Sequence, residues 1–183
     1  MQYFFTIVLS FLLTPVFSRT IIVGPTQPIR SLKKAIETAD EKDSIILLKG
    51  TYKEGSIILT KSLTIIGQNN PVLEGENKYE ILLISGKNII VKGIEFRNSG
   101  YSAMDDYAAI KLVDCSNVTI ENNSIRFAYF AIHISNTTMA IIRNNRINGI
   151  PTSEQLTGNG IHLWKSSHAI IENNYIQGHR DGI

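Results

Sequence analysis

Hydrophobic and polar residues alternate in four segments of the second half of the chain, and these four segments align with one another. They occupy residues 88–96, 117–125, 139–147 and 168–176, and the last three share the ending Asn-Asn-X-Ile. Aliphatic side chains recur at every second position, as at Val118 and Ile120, which is the period of a β-strand with one buried face. Each segment therefore predicts short strands rather than a helix.

The spacing of these segments indicates a repeat. Their first residues are 29, 22 and 29 positions apart, which fits a repeat of the shorter spacing with two insertions of equal size. The inserted residues fall near 100–106 and 151–157, at matching places in the unit, so we expect both loops on one corner. Residues 43–52 and 61–75 resemble earlier, less regular copies of the unit.

A unit of this size cannot bury its own apolar face. Stacked units can do so when each strand pairs in parallel with its copy about 4.8 Å away. The sequence therefore predicts an all-β fold, a right-handed parallel β-helix of about five coils, with the hand taken from the usual rule for parallel crossovers. A meander or sandwich is disfavoured, because paired asparagines stand where a hairpin would have an Asn-Gly turn.

Before the regular coils, residues 31–40 have a helical period. Leu32, Ala35, Ile36 and Ala39 would share one face, and Ser31 suits the N-cap. A short helix here would cover the first coil, whose edge strands otherwise offer unpaired backbone groups. We therefore expect an amino-terminal strand and capping helix at residues 19–43 and β-helix coils at 44–183.

The two ends of the chain carry separate signals. Residues 4–13 form an uncharged apolar run that is shorter than the roughly twenty residues needed to cross a bilayer. With Pro15 and Ser18 after it, this run predicts a secretory signal peptide at residues 1–18; a core helix or a retained anchor are the alternatives. Residues 181–183 align with 159–161 and open a further coil, so we expect the β-helix to be incomplete at its carboxyl end.

Composition and charge exclude several classes of protein. The 183 residues are 43% hydrophobic, which allows one domain with a core and excludes a disordered chain. Eighteen basic and sixteen acidic residues give a net charge of +2, with no long basic run, so charge favours neither a nucleic acid nor an anionic membrane as partner. The single cysteine, Cys115, excludes an intramolecular disulfide.

Stacking at one repeat places equivalent residues above one another in columns. Two columns consist of asparagines: Asn122, Asn144 and Asn173 in the first, and Asn123, Asn145 and Asn174 in the second. Asparagine tolerates turn conformations, and stacked amides can hydrogen-bond along a ladder. We therefore interpret both columns as structural.

A third column contains candidate metal ligands. Lys111, His133 and His162 follow one another at the spacing of the repeat, first without and then with the insertion. Each lies between aliphatic neighbours, so the three should point outward. Histidines on adjacent strands are close enough to share a metal ion, with Met104 and His179 as further candidate ligands. The alternative is a solvated stack of polar side chains, since two ligands do not define a site.

The corner that carries both loops contains a second group of candidates. Tyr107 and Tyr129 are one repeat apart and should stack beside Asp105, Asp106 and Glu154. Aromatic rings with a polar tip suit a sugar-binding platform, or they simply close the corner of the coil. No nucleophile elbow, P-loop, dinucleotide fingerprint or zinc-protease helix occurs, so we expect no enzyme.

Several segments carry a family resemblance that covers nearly the whole chain after residue 18. They run from IIVGPTQPIRSLKKAIETADEKDSIILLKGTY through KSLTIIGQNNPVLEGENK and GKNIIVKGIEFRNSG to GNGIHLWKSS and GHRDGI. These segments resemble the amino-terminal half of the NosD family, a β-helix family of the class shared by carbohydrate-binding proteins and sugar hydrolases (the CASH-domain class). GNGIHLW and GHRDGI are closest to a signature of that family.

The resemblance implies a periplasmic protein of nitrous oxide reductase maturation that turns over no substrate itself. Its expected partners are the membrane subunit of an ABC transporter and either nitrous oxide reductase or a copper chaperone, in an assembly that builds a copper-sulfide centre. Copper, held transiently, is the implied cargo, and the membrane is reached only through partners. A carbohydrate-binding or polysaccharide-cleaving β-helix, and a purely structural surface repeat protein, are the alternatives.

Overall fold

The protein forms a parallel β-helix closed at one end by a short α-helix. This architecture is seen in a computed structural model that describes residues 18–102, 104–150 and 157–183. In chain order its elements are β1 (Thr20–Val23), α1 (Leu32–Thr38), β2 (Ser44–Leu47), β3 (Thr51–Tyr52), β4 (Ile57–Leu59), β5 (Thr64–Gly67), β6 (Val72–Glu74), β7 (Leu82–Ile84), β8 (Lys87–Lys92), β9 (Glu95–Arg97), β10 (Ala108–Val113), β11 (Ser116–Glu121), β12 (Ser124–Arg126), β13 (Phe130–Ser135), β14 (Thr138–Arg143), β15 (Arg146–Asn148), β16 (Ile161–Trp164), β17 (Ile170–Glu172) and β18 (Tyr175–Gln177).

Three parallel sheets run along the stack of coils. The seven-stranded sheet has the order β1-β2-β5-β8-β11-β14-β17, the six-stranded sheet β18-β15-β12-β9-β6-β3, and the five-stranded sheet β16-β13-β10-β7-β4. Each complete coil contributes one strand to each sheet, which confirms the predicted fold. The described coils number about six rather than five, because β1 pairs with β2 and adds a strand before the helix.

The inward-facing residues of the three sheets form one continuous apolar core. Buried and less buried residues alternate along the seven-stranded sheet; in β11, for example, Val118 and Ile120 are fully buried while Thr119 between them is not. On β10 and β13 consecutive residues are buried. Phe96 is the largest of the fully buried side chains. Burial of this kind stabilises by about 25 cal/mol per Å² of apolar surface, so the stacked aliphatics supply the main stabilisation of the coils.

Both predicted asparagine columns are present. The first column consists of turn residues whose backbone is in the left-handed conformation, with φ of 54–55°; these are Asn122, Asn144 and Asn173. In the second column the side chains lie inside the turn and bond along the stack. The Asn123 N–H donates to Asn145 Oδ1 at 3.0 Å, and the Asn145 N–H donates to Asn174 Oδ1 at 2.9 Å. Amide side chains therefore satisfy backbone groups that would otherwise be buried without partners.

The predicted helix cap is also confirmed. Ser31 is the N-cap of α1, where its hydroxyl accepts a hydrogen bond from the Lys34 N–H, and the apolar face of the helix is buried. The Glu54 carboxylate, from the first coil, adds a contact that the sequence did not predict. It accepts hydrogen bonds from the Leu32 N–H at 2.7 Å and the Lys33 N–H at 2.9 Å. The coil therefore holds the start of the helix directly.

The single cysteine lies inside the stack. Cys115 is 3% exposed, and its thiol donates to the Ile84 carbonyl at 3.1 Å. Burial raises the pKa of this thiol. Across the described residues, no helix combines the length and the apolar character needed to span a membrane. The predicted signal peptide falls almost wholly outside the described residues and stays a prediction.

Candidate functional site

An open groove of about 620 Å³ lies on the outer face of the five-stranded sheet. Its lining residues are Asp106, Lys111, Val113, His133, Ser135, Asn136, His162 and Trp164. Strands β10, β13 and β16 contribute most of them, because their inward residues fill the core and the alternate positions face the groove. Clefts that combine an aromatic ring with a few polar groups are the usual form of a binding site.

The predicted histidine column is present in this groove. Lys111, His133 and His162 are aligned on adjacent strands. The Nδ1 atoms of the two histidines are 3.2 Å apart, so in the metal-free pair one nitrogen donates a hydrogen bond to the other. The two Nδ1 atoms therefore face each other, and in this state only the accepting one carries a lone pair.

This separation suits a shared metal ion. With metal–nitrogen bonds of about 2.0–2.1 Å, nitrogens 3.2 Å apart subtend an angle of roughly 100° at the metal, near the tetrahedral value. One imidazole would first have to move its proton from Nδ1 to Nε2. Within the described residues no third His, Cys, Asp or Glu completes a metal-binding group. An ion here would thus keep positions open for a ligand from another molecule.

His133 is shielded and His162 is half-buried, so the pair is not the fully solvated stack that was the alternative to a metal site. Phe130 stacks on the His162 ring at a centroid distance of 5.3 Å and meets the His133 ring edge-on at 5.4 Å. His133 is consequently only 4% exposed. Burial lowers the pKa of His133 to about 4, and the Asp106 carboxylate opposes this shift only in part. His133 is therefore a neutral imidazole at pH 7.

Two other charged groups beside the groove neutralise each other. Lys111 Nζ lies 3.4 Å from Glu80 Oε2, and both side chains are largely buried. Burial raises the pKa of Glu80, against the lowering effect of Lys111. Glu80 lies outside the repeat pattern and was not predicted. Asp106 is the one carboxylate among the described residues that line the groove.

The candidate binding residues at the loop corner do not lie together in the structure. Asp106 joins the groove, whereas Met104 is 95% exposed and Asp105 bonds within its own turn, where its N–H donates to the Ser102 hydroxyl at 3.0 Å. Neither Met104 nor Asp105 lines the groove. Glu154 lies outside the described residues.

His179 and the tyrosines do not form the predicted sites either. His179 is partly buried away from the groove, with Nδ1 3.2 Å from the Gly158 carbonyl, and burial lowers its pKa. Tyr129 meets Tyr101 and Phe130 edge-on at 4.9 Å, and no ring contact joins it to Tyr107 in the part of the chain that the structure describes. The aromatic pair predicted as a sugar platform is therefore not formed by Tyr107.

Comparison with known proteins places the chain among β-helices. A family model described as "Right handed beta helix region" matches residues 50–176. Two curated relatives are both named "Probable ABC transporter binding protein NosD". The one from Pseudomonas aeruginosa is 30% identical over 138 residues, and the one from Stutzerimonas stutzeri is 28% identical over 136 residues. These alignments cover 74% and 73% of this chain but 32% and 31% of the relatives, so the chain spans about a third of their length.

A solved structure agrees on the fold. The catalytic domain of a GH87 α-1,3-glucanase superposes with a TM-score of 0.64 and 17% sequence identity, covering 95% of this chain and 32% of the glucanase chain. At this identity the likeness concerns architecture alone.

Proposed function

The chain belongs to the family of right-handed β-helix proteins, and on that premise we propose that it is a NosD-like binding protein of an ABC transporter system. The proposed site of action is the periplasm, after export. There the protein assists assembly of the copper-sulfide centre of nitrous oxide reductase, together with the membrane subunit of the transporter and with the reductase or a copper chaperone. The names and sequences of the two relatives support the link to an ABC transporter system.

Copper is the proposed cargo. The main observation in support is that the Nδ1 atoms of His133 and His162 lie 3.2 Å apart in the groove. Imidazole is a common ligand of copper, and a site with only two protein ligands holds an ion loosely enough to pass it on. The rigid sheet fixes both rings, and Phe130 limits their rotation. Trp164, which is 57% exposed, lies along the same groove, next to the open side from which a partner would approach.

The hydrogen bonds and ion pairs of the polar groups in the groove favour a binding role over catalysis. His133 Nδ1 is engaged with His162, so it does not activate Ser135, whose hydroxyl donates to the Leu112 carbonyl instead. A nucleophile needs a base within hydrogen-bonding reach. Since Lys111 is paired with Glu80, no acid and base in the described groove are arranged for catalysis.

The test is copper retention by equilibrium dialysis against a competing chelator, with copper offered as Cu(I) under reductant and as Cu(II). The double variant His133→Gln, His162→Gln should retain at least about tenfold less copper than wild type, which corresponds to about 1.4 kcal/mol. His168→Asn is the matched control, because His168 is an exposed histidine with φ of 54°, a conformation that asparagine tolerates. Its copper retention should equal that of wild type.

The outcome that contradicts the proposal is equal retention by wild type and the double variant, with both shown to be folded by circular dichroism. Retention lost in His168→Asn as well would also contradict it, because the copper would then bind surface histidines without reference to the groove.

A further inference from the structure

A second cavity, of about 260 Å³, lies at the corner that follows the six-stranded sheet. Its apolar lining, which we call the aromatic socket, consists of Tyr101, Phe127, Ala128, Tyr129 and Ile150. Among the described residues, none that lines the histidine groove also lines this cavity. The socket is therefore a separate site, and the inference from it does not depend on copper binding.

Phe127 occupies a turn whose backbone does not suit a bulky side chain. Its φ is 57°, in the left-handed region that phenylalanine rarely adopts. At the equivalent position, the preceding coil has Asn98 with φ of 56°, and the second coil after it has Gly178 with φ of 72°. Asparagine and glycine are the residues that tolerate this conformation. The turn therefore gives no reason for a phenylalanine here.

Burial does not explain Phe127 either. The side chain is 38% exposed and does not belong to the hydrophobic core of the stack. Backbone outliers of this kind cluster at functional sites, where another interaction compensates for them. A half-exposed aromatic ring on an unfavourable backbone, at the rim of a cavity, is the arrangement expected of a binding residue.

The other rings of the socket are held in place by their neighbours. Tyr129 meets both Tyr101 and Phe130 edge-on, each at a centroid distance of 4.9 Å. The Tyr129 N–H donates to the hydroxyl of Ser99, a buried residue, at 3.2 Å. A wall that is already ordered loses little conformational entropy when a ligand binds, which favours affinity.

Two arginines beside the socket have no carboxylate partner. Arg126, the last residue of β12, precedes Phe127 and lies 5.2 Å from the centroid of its ring. Arg146, on the adjacent strand β15, lies 4.5 Å from the centroid of Tyr175. Both arginines are exposed, and neither forms an ion pair with any described residue. Positive charge therefore borders the apolar cavity.

Other outward arginines of the coils are neutralised within the protein. In the coil before Arg126, Arg97 Nε lies 2.6 Å from Glu74 Oε2. On the seven-stranded sheet, Arg143 Nη2 lies 2.8 Å from Glu121 Oε2. The two guanidinium groups near the socket thus keep charge available for a partner of opposite sign.

The size and shape of the socket favour one side chain of a protein over a small molecule or a sugar. Small-molecule sites measure about 300–1,000 Å³, which is larger than this cavity. The rings of Tyr101 and Tyr129 are inclined at 71°, so they form no flat platform for a sugar ring. Aromatic residues and arginine are enriched at protein interfaces, where an anchor side chain fills a pocket.

We propose that the aromatic socket, with Arg126 and Arg146, binds an acidic segment of a partner protein. One large apolar side chain of that segment fills the socket against Phe127 and Tyr129. Carboxylates next to it accept hydrogen bonds from the two guanidinium groups, whose N–H edges stay open while their faces lie against aromatic rings. The anchor supplies most of the affinity, and the charges select acidic segments.

Phe127→Asn is the decisive variant, because a binding role and a structural role predict different results. Asparagine suits φ of 57° and already occupies the equivalent turn position as Asn98, so the midpoint of thermal unfolding should not fall. Without the ring the socket loses a wall, so the affinity for an acidic peptide with an apolar anchor should fall by about tenfold or more.

The probe is a library of random dodecapeptides displayed on phage, selected on the full chain. Selection should enrich peptides that carry one Trp, Phe or Leu flanked by Asp or Glu. Fluorescence anisotropy then gives the affinity of the enriched peptides at low and at physiological salt. The double variant Arg126→Gln, Arg146→Gln should bind them about tenfold more weakly, with a weaker dependence on salt. Arg143→Gln, which alters an arginine already paired on another face, should stay within about twofold of wild type.

Several results would overturn the proposal. One is selection that yields no binders, or binders without an apolar anchor or without acidic residues. Others are wild-type affinity in Phe127→Asn or in the double arginine variant, and a lower unfolding midpoint in Phe127→Asn, which would mean that the ring serves the fold. Displacement of the peptides by oligosaccharides would make the ligand a sugar instead. Circular dichroism of each variant shows whether it is folded.

Discussion

Replacement of Asn145 by alanine should be among the most damaging changes of a polar residue in this protein. The side chain is 2% exposed and bonds in both directions along the stack. Oδ1 accepts from the Asn123 N–H at 3.0 Å, and Nδ2 donates to the Ile120 carbonyl at 2.9 Å and to Asn174 Oδ1 at 3.0 Å. Alanine provides none of these groups.

The magnitude follows from the groups that lose a partner. The Asn123 N–H and the Ile120 carbonyl stay buried inside the turn, and each unsatisfied group of this kind costs about 1–3 kcal/mol. We therefore expect Asn145→Ala to lower the free energy of unfolding by about 4 kcal/mol, the sum for two such groups. That is a large part of the roughly 5–15 kcal/mol that stabilises an ordinary domain.

Urea unfolding measures this loss, with far-UV circular dichroism and Trp164 fluorescence as two probes, since stacked coils need not unfold in one step. Asn144→Gly is the matched control, because Asn144 is exposed with φ of 55° and glycine accepts that conformation; its effect should stay within about 0.5 kcal/mol. Asn174→Ala, at a half-buried end of the column, should fall between them. If Asn145→Ala costs no more than Asn144→Gly, the ladder does not stabilise the fold.

In the metal-free protein, the free energy of unfolding should fall by up to about 3 kcal/mol between pH 6.5 and pH 4, because the unfolded chain protonates His133 in this range while burial holds its folded pKa at about 4. Urea unfolding at each pH measures how steeply the free energy of unfolding depends on pH. The same pH dependence in His133→Gln as in wild type would contradict this prediction. A weaker pH dependence should persist in that variant, because burial lowers the pKa of His179 as well. Glu54→Ala should cost about 1–2 kcal/mol in thermal unfolding, since two N–H groups of the first helical turn lose their acceptor, and it should exceed Glu37→Ala, which removes only an exposed ion pair. Phe96→Ala should cost about 3–5 kcal/mol by the same assay, and a loss below about 1 kcal/mol would show that the core closes over the gap.

The features that the sequence predicted correctly are those set by the repeat. The spacing of the repeat fixes which side chains lie on adjacent strands, and so the alignment of Lys111, His133 and His162 could be derived without coordinates. Alternation of apolar residues fixes which side faces inward. The helix cap followed from the change of period and from Ser31, a local signal.

The features that were wrong or missed depend on contacts between different parts of the coil. Phe130 covers the histidine pair, and nothing in the two-residue period distinguishes it from an inward residue of the same strand. Tyr129 pairs with Tyr101 rather than Tyr107, because Tyr101 belongs to the first insertion, whose path the repeat does not specify. Glu54 and Glu80 likewise act across coils from positions outside the repeated segments. Exposure and pKa values at the groove therefore required the structure.

The buried thiol of Cys115 gives this protein a built-in reporter of local opening. Its Sγ is enclosed between two strands and bonded to a backbone carbonyl, and burial keeps it protonated by raising its pKa. A thiol reagent can react only while the surrounding coils are separated, and no second cysteine competes for it. The rate of thiol labelling under native conditions would thus measure how often the middle of the stack opens locally, independently of fraying at either end.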